Sequence, residues 1–403
     1  MILKRIHKII ISCATLIMNV KNLIQKYSEN LPREKYEEKY FRTLPSLKWG
    51  QRKLLITLIQ FLTKYYHCYK QDEKKYLLYV GASPGYNINY LMKLFPDIHF
   101  IMYDKVDTEV DLSQKNVEFY QRYFTDEDAY KYANKNLFFV CDIRTLDTKD
   151  HHNIIREIKQ RIDKKTATKE DYETLVYHEE QANSIIDDNM VMQQKWANIM
   201  NPLKSHLKFR LKWDQNETKY FDGDIYFQPW IGNGSIEMRI VPNGKEKVYN
   251  NKIAEEVCFW FNKNRRREKL VSPFKGVYPF HDNILEAVIL AEYLVTFKNY
   301  SYEDNEKLGE RVYEMVNDIT TFLSREGSIY LDIDNRFLEL PRRYYTKKYE
   351  NEKKRIFEKR SKQRNSEKKK LNDRKKYSPK KKYFSPKNKK NSTTTVTNSR
   401  WKK

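Results

Sequence analysis

The chain has 403 residues, 40% of them hydrophobic, which is enough for a sizeable core and excludes a wholly disordered or fibrous protein. Its formal net charge of +23 is concentrated at one end, because residues 351–403 hold 22 Lys/Arg against 4 Asp/Glu and the rest 55 against 50. Four widely spaced cysteines, Cys13, Cys68, Cys141 and Cys258, form no C-x-x-C pair, so no zinc site or disulfide framework is expected and a reducing, intracellular setting follows.

In chain order, residues 1–70 read as mostly helical. The apolar run 9–18 follows Lys4, Arg5 and Lys8 but lacks a small-residue cleavage pattern, so it is read as an amphipathic helix and not as a secretion signal. No stretch reaches the roughly 18 apolar residues of a membrane span. Leu54, Leu55, Leu58, Ile59 and Leu62 form the stripe of a core-facing helix.

The segment 76–104, YLLYVGASPGYNINYLMKLFPDIHFIMYD, reads as strand, glycine turn, helix and strand, the outline of a nucleotide-binding βαβ unit. Gly81 and Gly85 permit a tight turn, and Asp104 stands where a carboxylate takes ribose hydroxyls. The turn is G-x-x-P-G and lacks the third glycine of a dinucleotide site, which favours S-adenosylmethionine over NAD.

Residues 116–124 and 137–142 read as further strands, the second ending in Asp142. Ligands of open α/β sheets bind at the carboxyl ends of strands, so Gly81, Asp104 and Asp142 should line one crevice. A charged helical insert spans about 150–200. Period-two segments follow at 205–213, 224–227 and 235–241, bounded by Gly223, Gly232, Gly234 and Gly244, and helical patterning returns from about 254 to 325. Residues 346–403 form a basic tail too poor in aliphatic residues to fold beyond an initial helical stretch. Its YSPKKK and FSPKNK repeats suggest phosphate-backbone binding tuned by phosphorylation at Ser378 or Ser385, with a targeting signal as the competing reading.

Four charged residues stand near predicted strand ends or helix starts: Lys53 in GQRKLL, Asp142 in LFFVCDIRT, Lys208 in HLKFRLKW and Glu237 in SIEMRIV. Taken singly, Lys53 fits a solvated first-turn lysine, Asp142 a helix cap, and Lys208 with Glu237 a cross-strand ion pair. In this order, together with YVGASPG and NPLKSHLKFR, they resemble the K-D-K-E tetrad of RNA 2′-O-methyltransferases. In particular they look like segments of the poxvirus cap-specific enzymes that also serve as poly(A) polymerase regulatory subunits. The resemblance covers about residues 44–297.

The resemblance implies a Rossmann-like, class I SAM-dependent α/β fold with a mostly parallel seven-stranded sheet, one antiparallel strand and flanking helices. The chain is read as a helical extension (1–43), a methyltransferase domain (44–345) and the tail (346–403), which the resemblance does not cover. The resemblance implies S-adenosylmethionine as cofactor and no metal, with methyl transfer to the ribose 2′-hydroxyl of the first transcribed nucleotide of capped mRNA. A non-catalytic subunit of a viral poly(A) polymerase and a 2′-O-methyltransferase of another RNA remain open, as does a polymerase catalytic subunit as partner. No membrane partner is expected, and the setting is the cytoplasm of a cell infected by a large DNA virus, or the virion.

Carried over residue by residue, Lys53, Asp142, Lys208 and Glu237 are catalytic. Lys208 is the base, its pKa lowered by burial and by Lys53 and opposed by the two acids. Gln51, Gly81, Ala82, Pro84, Gly85 and Asp104 match the cofactor site, with Tyr123, Phe124 and Ile143 beside the adenine. Where the family has an arginine two residues after the ribose acid, this chain has Val106. Tyr36, Trp213, Asp214 and Glu255 are the cap-binding candidates, since a methylated, positively charged base is held between aromatic faces with a carboxylate at its edge. Arg144, Arg210 and Arg239 are candidates for the RNA backbone or for support of the catalytic groups. Truncation after Glu350 should weaken RNA affinity and flatten its dependence on salt in a titration series, and an unchanged slope would assign the tail another role.

Overall fold

In a computed structural model, residues 26–36, 47–143, 215–231, 235–325 and most of 154–212 are described. Helix α1 (Leu47–Tyr65) leads into strand β1 (Lys75–Val80), α2 (Tyr86–Leu94), β2 (Ile98–Asp104), β3 (Val117–Gln121), α3 (Asp126–Lys131) and β4 (Leu137–Cys141). The long helix α4 (Lys169–Met200) precedes β5 (Lys204–Phe209), β6 (Glu217–Tyr226) and β7 (Met238–Asn250), and helices α5 (Asn251–Lys263), α6 (His281–Phe297) and α7 (Asn305–Arg325) follow.

The strands form one seven-stranded sheet in the order β3-β2-β1-β4-β5-β7-β6. β1 pairs in parallel with β2 and β4, and β2 with β3 and β4 with β5 likewise, while β7 runs antiparallel to both β5 and β6. The expected mostly parallel sheet with one antiparallel strand is therefore present. The four innermost residues of β1, the first six of β2 and all of β4 are buried, as strands covered on both faces require, and this is why they read as unbroken apolar runs. The stripe on α1 is also core, with Leu55, Leu58, Ile59 and Leu62 at 1% exposure or less.

Helix α4 starts at a capping box, in which the Thr168 hydroxyl and the Asp171 carboxylate each accept a backbone N–H of the other residue. Its last three turns bury Met190, Trp196, Ala197 and Met200 against the sheet. Its first turns expose Tyr172, Val176 and Tyr177.

Two expectations are corrected. β6 begins at Glu217, not near residue 224, because Gly223 lies inside the strand instead of bounding it. A Cβ at Gly223 would lie 2.2 Å from the Val241 carbonyl oxygen, so this glycine marks a close approach at the irregularity in β6–β7 pairing. Gly244 likewise falls within β7. Residues 26–36 are not helical: Lys26 bridges antiparallel to Tyr226 and the Tyr27 N–H donates to the Ile225 carbonyl at 3.0 Å. The outer edge of β6 offers unpaired backbone groups, and these capture the segment.

Candidate functional site

The strand order reverses between β1 and β4, the place where an open α/β sheet leaves a crevice at its carboxyl edge. Register decides what meets there. Val80 lies opposite Tyr103 and Cys141, Cys141 opposite Leu207, and Lys208 opposite Arg239. Gly81, Asp104, Asp142 and Lys208 are thereby brought to one edge.

The ladder continues one residue past β1 and β4, since the Gly81 N–H donates to the Tyr103 carbonyl and the Asp142 N–H to the Val80 carbonyl, both at 2.9 Å. Gly81 has φ +82°, and a Cβ on it would lie 2.7–2.8 Å from backbone atoms of Asp142 and Ile143. Only glycine lets the turn pass this close to the acid. Ala82 is buried, the Ser83–Pro84 peptide is cis, and Gly85 precedes α2 in the left-handed conformation.

Asp104 accepts the Ser83 N–H on one carboxylate oxygen and the Val106 N–H on the other, both at 3.0 Å. Each oxygen keeps a further lone pair for a ribose hydroxyl. Gln51, buried on α1, accepts the Asn87 N–H at 3.2 Å, tying α1 to the first turn of α2. The Asn87 side-chain amide nitrogen is buried and without a hydrogen-bond partner among the described residues, a donor left unmet beside the glycine turn. These residues fit a nucleoside cofactor.

Beyond β3, Tyr123 is 61% exposed with the Lys105 ammonium over its ring, whereas Phe124 is 5% exposed and packs edge-on against Tyr103 and Trp196. Of the two rings expected beside an adenine, Tyr123 offers an open face and Phe124 is packed into the core. Ile143 is buried, and its carbonyl lies 3.4 Å from Lys208 Nζ. Val106 is exposed, with its polar backbone turned to Asp104 and to the Ser83 hydroxyl.

The structure brings Lys53, Asp142, Lys208 and Glu237 into one constellation, in which Lys53, Asp142 and Glu237 are buried and Lys208 is partly exposed. Lys53 Nζ donates to Glu237 Oε1 at 2.6 Å, and Lys208 Nζ lies 3.0 Å from Asp142 Oδ1 and 3.6 Å from Glu237 Oε2. Arg239 is 1% exposed, and one of its terminal nitrogens lies 2.9 Å from Asp142 Oδ1 and 3.2 Å from Glu237 Oε1. Burial acts against its charge, but the two carboxylates prevail and hold the guanidinium above its ordinary pKa. A group so enclosed cannot reach an RNA backbone. The phosphate-contact expectation for Arg239 is therefore corrected to support of the two acids.

Two glutamines complete this support and carry no sequence signal of their own. Gln228 donates to Glu237 Oε1 at 3.3 Å and accepts from Arg239 Nε at 2.9 Å, and Gln193 on α4 donates to the Lys208 carbonyl at 2.5 Å. His206, two residues before Lys208 on β5, is held neutral by burial and by the Arg239 charge. Burial pushes the Cys141 thiol up to about 12, so it offers no thiolate.

In the N-terminal segment, Tyr36 packs edge-on against Phe259 of α5, ring centroids 5.5 Å apart. The Glu34 N–H donates to the Glu256 carbonyl, and the Glu34 carboxylate meets Lys263 and Asn264. Glu255 lies one turn before Phe259, so Tyr36 and Glu255 address one face of α5. Burial, then the neighbouring Glu256 charge, raises the Glu255 carboxyl above its usual range. Arg210 is half-buried just beyond β5. Trp213, Asp214 and Arg144 lie outside the described residues.

Because Arg239 neutralises both acids in the interior, Arg239→Gln should cost roughly 3–5 kcal/mol of unfolding free energy in a chemical denaturation series. A loss below about 1 kcal/mol would contradict the bridging role.

Residues 18–160 match the family model described as "Poly A polymerase regulatory subunit". A fowlpox virus (strain NVSL) protein named "Cap-specific mRNA (nucleoside-2'-O-)-methyltransferase" is 24% identical over 273 residues, which covers 62% of this chain and 79% of that protein. A solved structure of bluetongue virus VP4, titled as a multifunctional RNA-capping production line, is 12% identical with a TM-score of 0.31. That match covers 58% of this chain, which spans only 34% of the VP4 chain. The stretch matched by the family model, residues 18–160, is the one that carries Lys53, the glycine turn and Asp142.

Proposed function

We propose that the protein is an S-adenosylmethionine-dependent methyltransferase of mRNA capping that acts on the ribose 2′-hydroxyl of the first transcribed nucleotide of N7-methylguanosine-capped mRNA. The observation that carries this reading is Lys208, held by Asp142 and Glu237 at the sheet edge that also bears the glycine turn. The name of the fowlpox relative points the same way.

S-adenosylmethionine would supply a methyl group on a positively charged sulfur, open to in-line attack. Asp104 would hold its ribose, with the backbone of Gly81 to Gly85 packed close to it and Tyr123 and Ile143 nearer the base. A ribose hydroxyl attacks well only as its proton leaves, and Lys208 Nζ is the base placed to take it. The lysine must be neutral to do so. Asp142 orients it at 3.0 Å and Glu237 adds a longer ion pair at 3.6 Å, while Arg239 shares both carboxylates and Lys53 bonds Glu237. On the RNA side, Tyr36 and Trp213 would stack on the methylated base, with Asp214 and Glu255 at its edge, and Arg144 and Arg210 would meet the strand behind it.

The family description also favours a second role in the same chain, as the regulatory subunit of a viral poly(A) polymerase with that enzyme's catalytic subunit as partner. The two roles are compatible, because RNA bound in the crevice serves either.

Labelled S-adenosylmethionine, incubated with RNAs bearing an N7-methylated cap, an unmethylated cap or no cap, should label the first far more than the others. Lys208→Ala should cut transfer by at least about 100-fold with cofactor affinity little changed. Equal transfer by the wild type and Lys208→Ala would refute the base, and equal labelling of uncapped RNA would refute cap specificity. Glu255 serves a cationic base only when ionised, and its pKa is raised. Affinity for an N7-methylated cap analogue should therefore fall on acidification at a higher pH than an ordinary glutamate would give. Glu255→Gln should remove that step from a fluorescence titration, and an unaltered pH profile would exclude Glu255 from the cap site.

A further inference from the structure

A second buried ionic assembly adjoins the four charged residues and grips the turn that leads to Glu237. Arg52 immediately precedes Lys53 on α1 and is 1% exposed, and its partner Glu286 on α6 is 2% exposed. The guanidinium meets both oxygens of that carboxylate, Nε at 2.9 Å and a terminal nitrogen at 2.5 Å, and its other nitrogen donates to the Thr320 hydroxyl of α7 at 2.9 Å. Glu286 also accepts the indole N–H of Trp230 at 2.6 Å. Trp230 has φ +61°, a left-handed conformation that a bulky side chain adopts only when its surroundings enforce it. Its backbone N–H is taken by Asp282 at 3.1 Å, and Asp282 is paired with Arg266, which also donates to the Gln228 carbonyl at 2.5 Å.

We propose that the Arg52–Glu286 pair, with Trp230, is a positioning device that registers Lys53 and Glu237 against each other. This rests on the methyl-transfer reading for its consequence in turnover, but the geometry it describes is measurable without that reaction. The pair acts from two sides. Neighbouring residues on a helix point about 100° apart, so a two-pronged bond from Arg52 to α6 fixes the rotation of α1 and hence the direction in which Lys53 leaves it. From the other side, the Trp230 indole pins the turn after β6, and that turn carries Gln228, which bonds both Glu237 and Arg239. A buried ion pair is a poor source of stability compared with apolar packing of the same volume, whereas a fixed angle is what it supplies well.

Trp230→Phe keeps the ring and removes only the indole donor, and Glu286→Gln weakens the two-pronged contact while keeping its shape. In the full chain, each should lower kcat about tenfold or more, with KM for cofactor and RNA within about twofold of wild type. Titration of 15N-labelled lysine side chains by NMR should show the Lys53 and Lys208 signals displaced in both variants. Tyr293→Phe, which removes the hydrogen bond from the same helix α6 to the Leu94 carbonyl without touching Arg52, serves as the comparison for lost stability alone, with kcat expected within about twofold of wild type. Unchanged kcat and unchanged lysine titrations in Trp230→Phe and Glu286→Gln would overturn the proposal, as would a rise in KM at constant kcat. Displaced titrations in a chain whose wild type transfers no methyl would uphold the positioning and defeat the reaction.

Discussion

Two carboxylates, Asp142 and Glu237, share one buried arginine, and the arrangement of the site depends on that sharing. Like charges this close do not remain together in an interior unless cations compensate them. Arg239 is the central cation, bonded to both acids and reached from β7, while Lys53 and Lys208 approach from α1 and β5. The register of β5 against β7, with Lys208 opposite Arg239, puts two basic residues side by side on neighbouring strands. The acids make that tolerable. A slip of one residue would turn Lys208 to the other face and leave Asp142 with the arginine alone.

The cofactor half and the proton-transfer half of the proposed site are mechanically one object. Gly81 touches the backbone of Asp142, so the turn that would cradle a nucleoside also fixes where the acid begins. Gln51, two residues before Lys53, ties α1 to the start of the helix that follows this turn. Displacement of any of these elements would disturb both halves, and their ties run through backbone and buried side chains instead of surface ion pairs, which contribute little.

The central sheet was legible in the sequence because it leaves a local trace, whereas the four charged residues stood out only through the family resemblance, each having an ordinary structural reading by itself. Strands covered on both faces appear as apolar runs, and a glycine turn followed by a strand ending in an acid marks a nucleotide-binding unit within a single short segment. The supporting residues leave no such trace. Nothing local distinguishes a glutamine that bridges an arginine and a glutamate, such as Gln228, from one on the surface. Arg239 reads like any basic residue on a strand until the fold brings Asp142 and Glu237 to its guanidinium. Gly223 misled as a boundary because glycine within a strand and glycine at its end look alike, and only the neighbouring Val241 carbonyl tells them apart. Of Tyr123 and Phe124, alternation says that one faces inward, but the choice is made by Tyr103 and Trp196 packing on Phe124.

A lysine that takes the proton of a ribose hydroxyl is the centre of the proposed chemistry, and the product RNA reports on it most directly. Capped RNA incubated with the protein and S-adenosylmethionine, digested to nucleosides and resolved by mass spectrometry, should yield the cap joined to a first nucleotide with one methyl on its ribose oxygen. A methyl group found on a base, or on a ribose elsewhere in the chain, would contradict the assignment of this site.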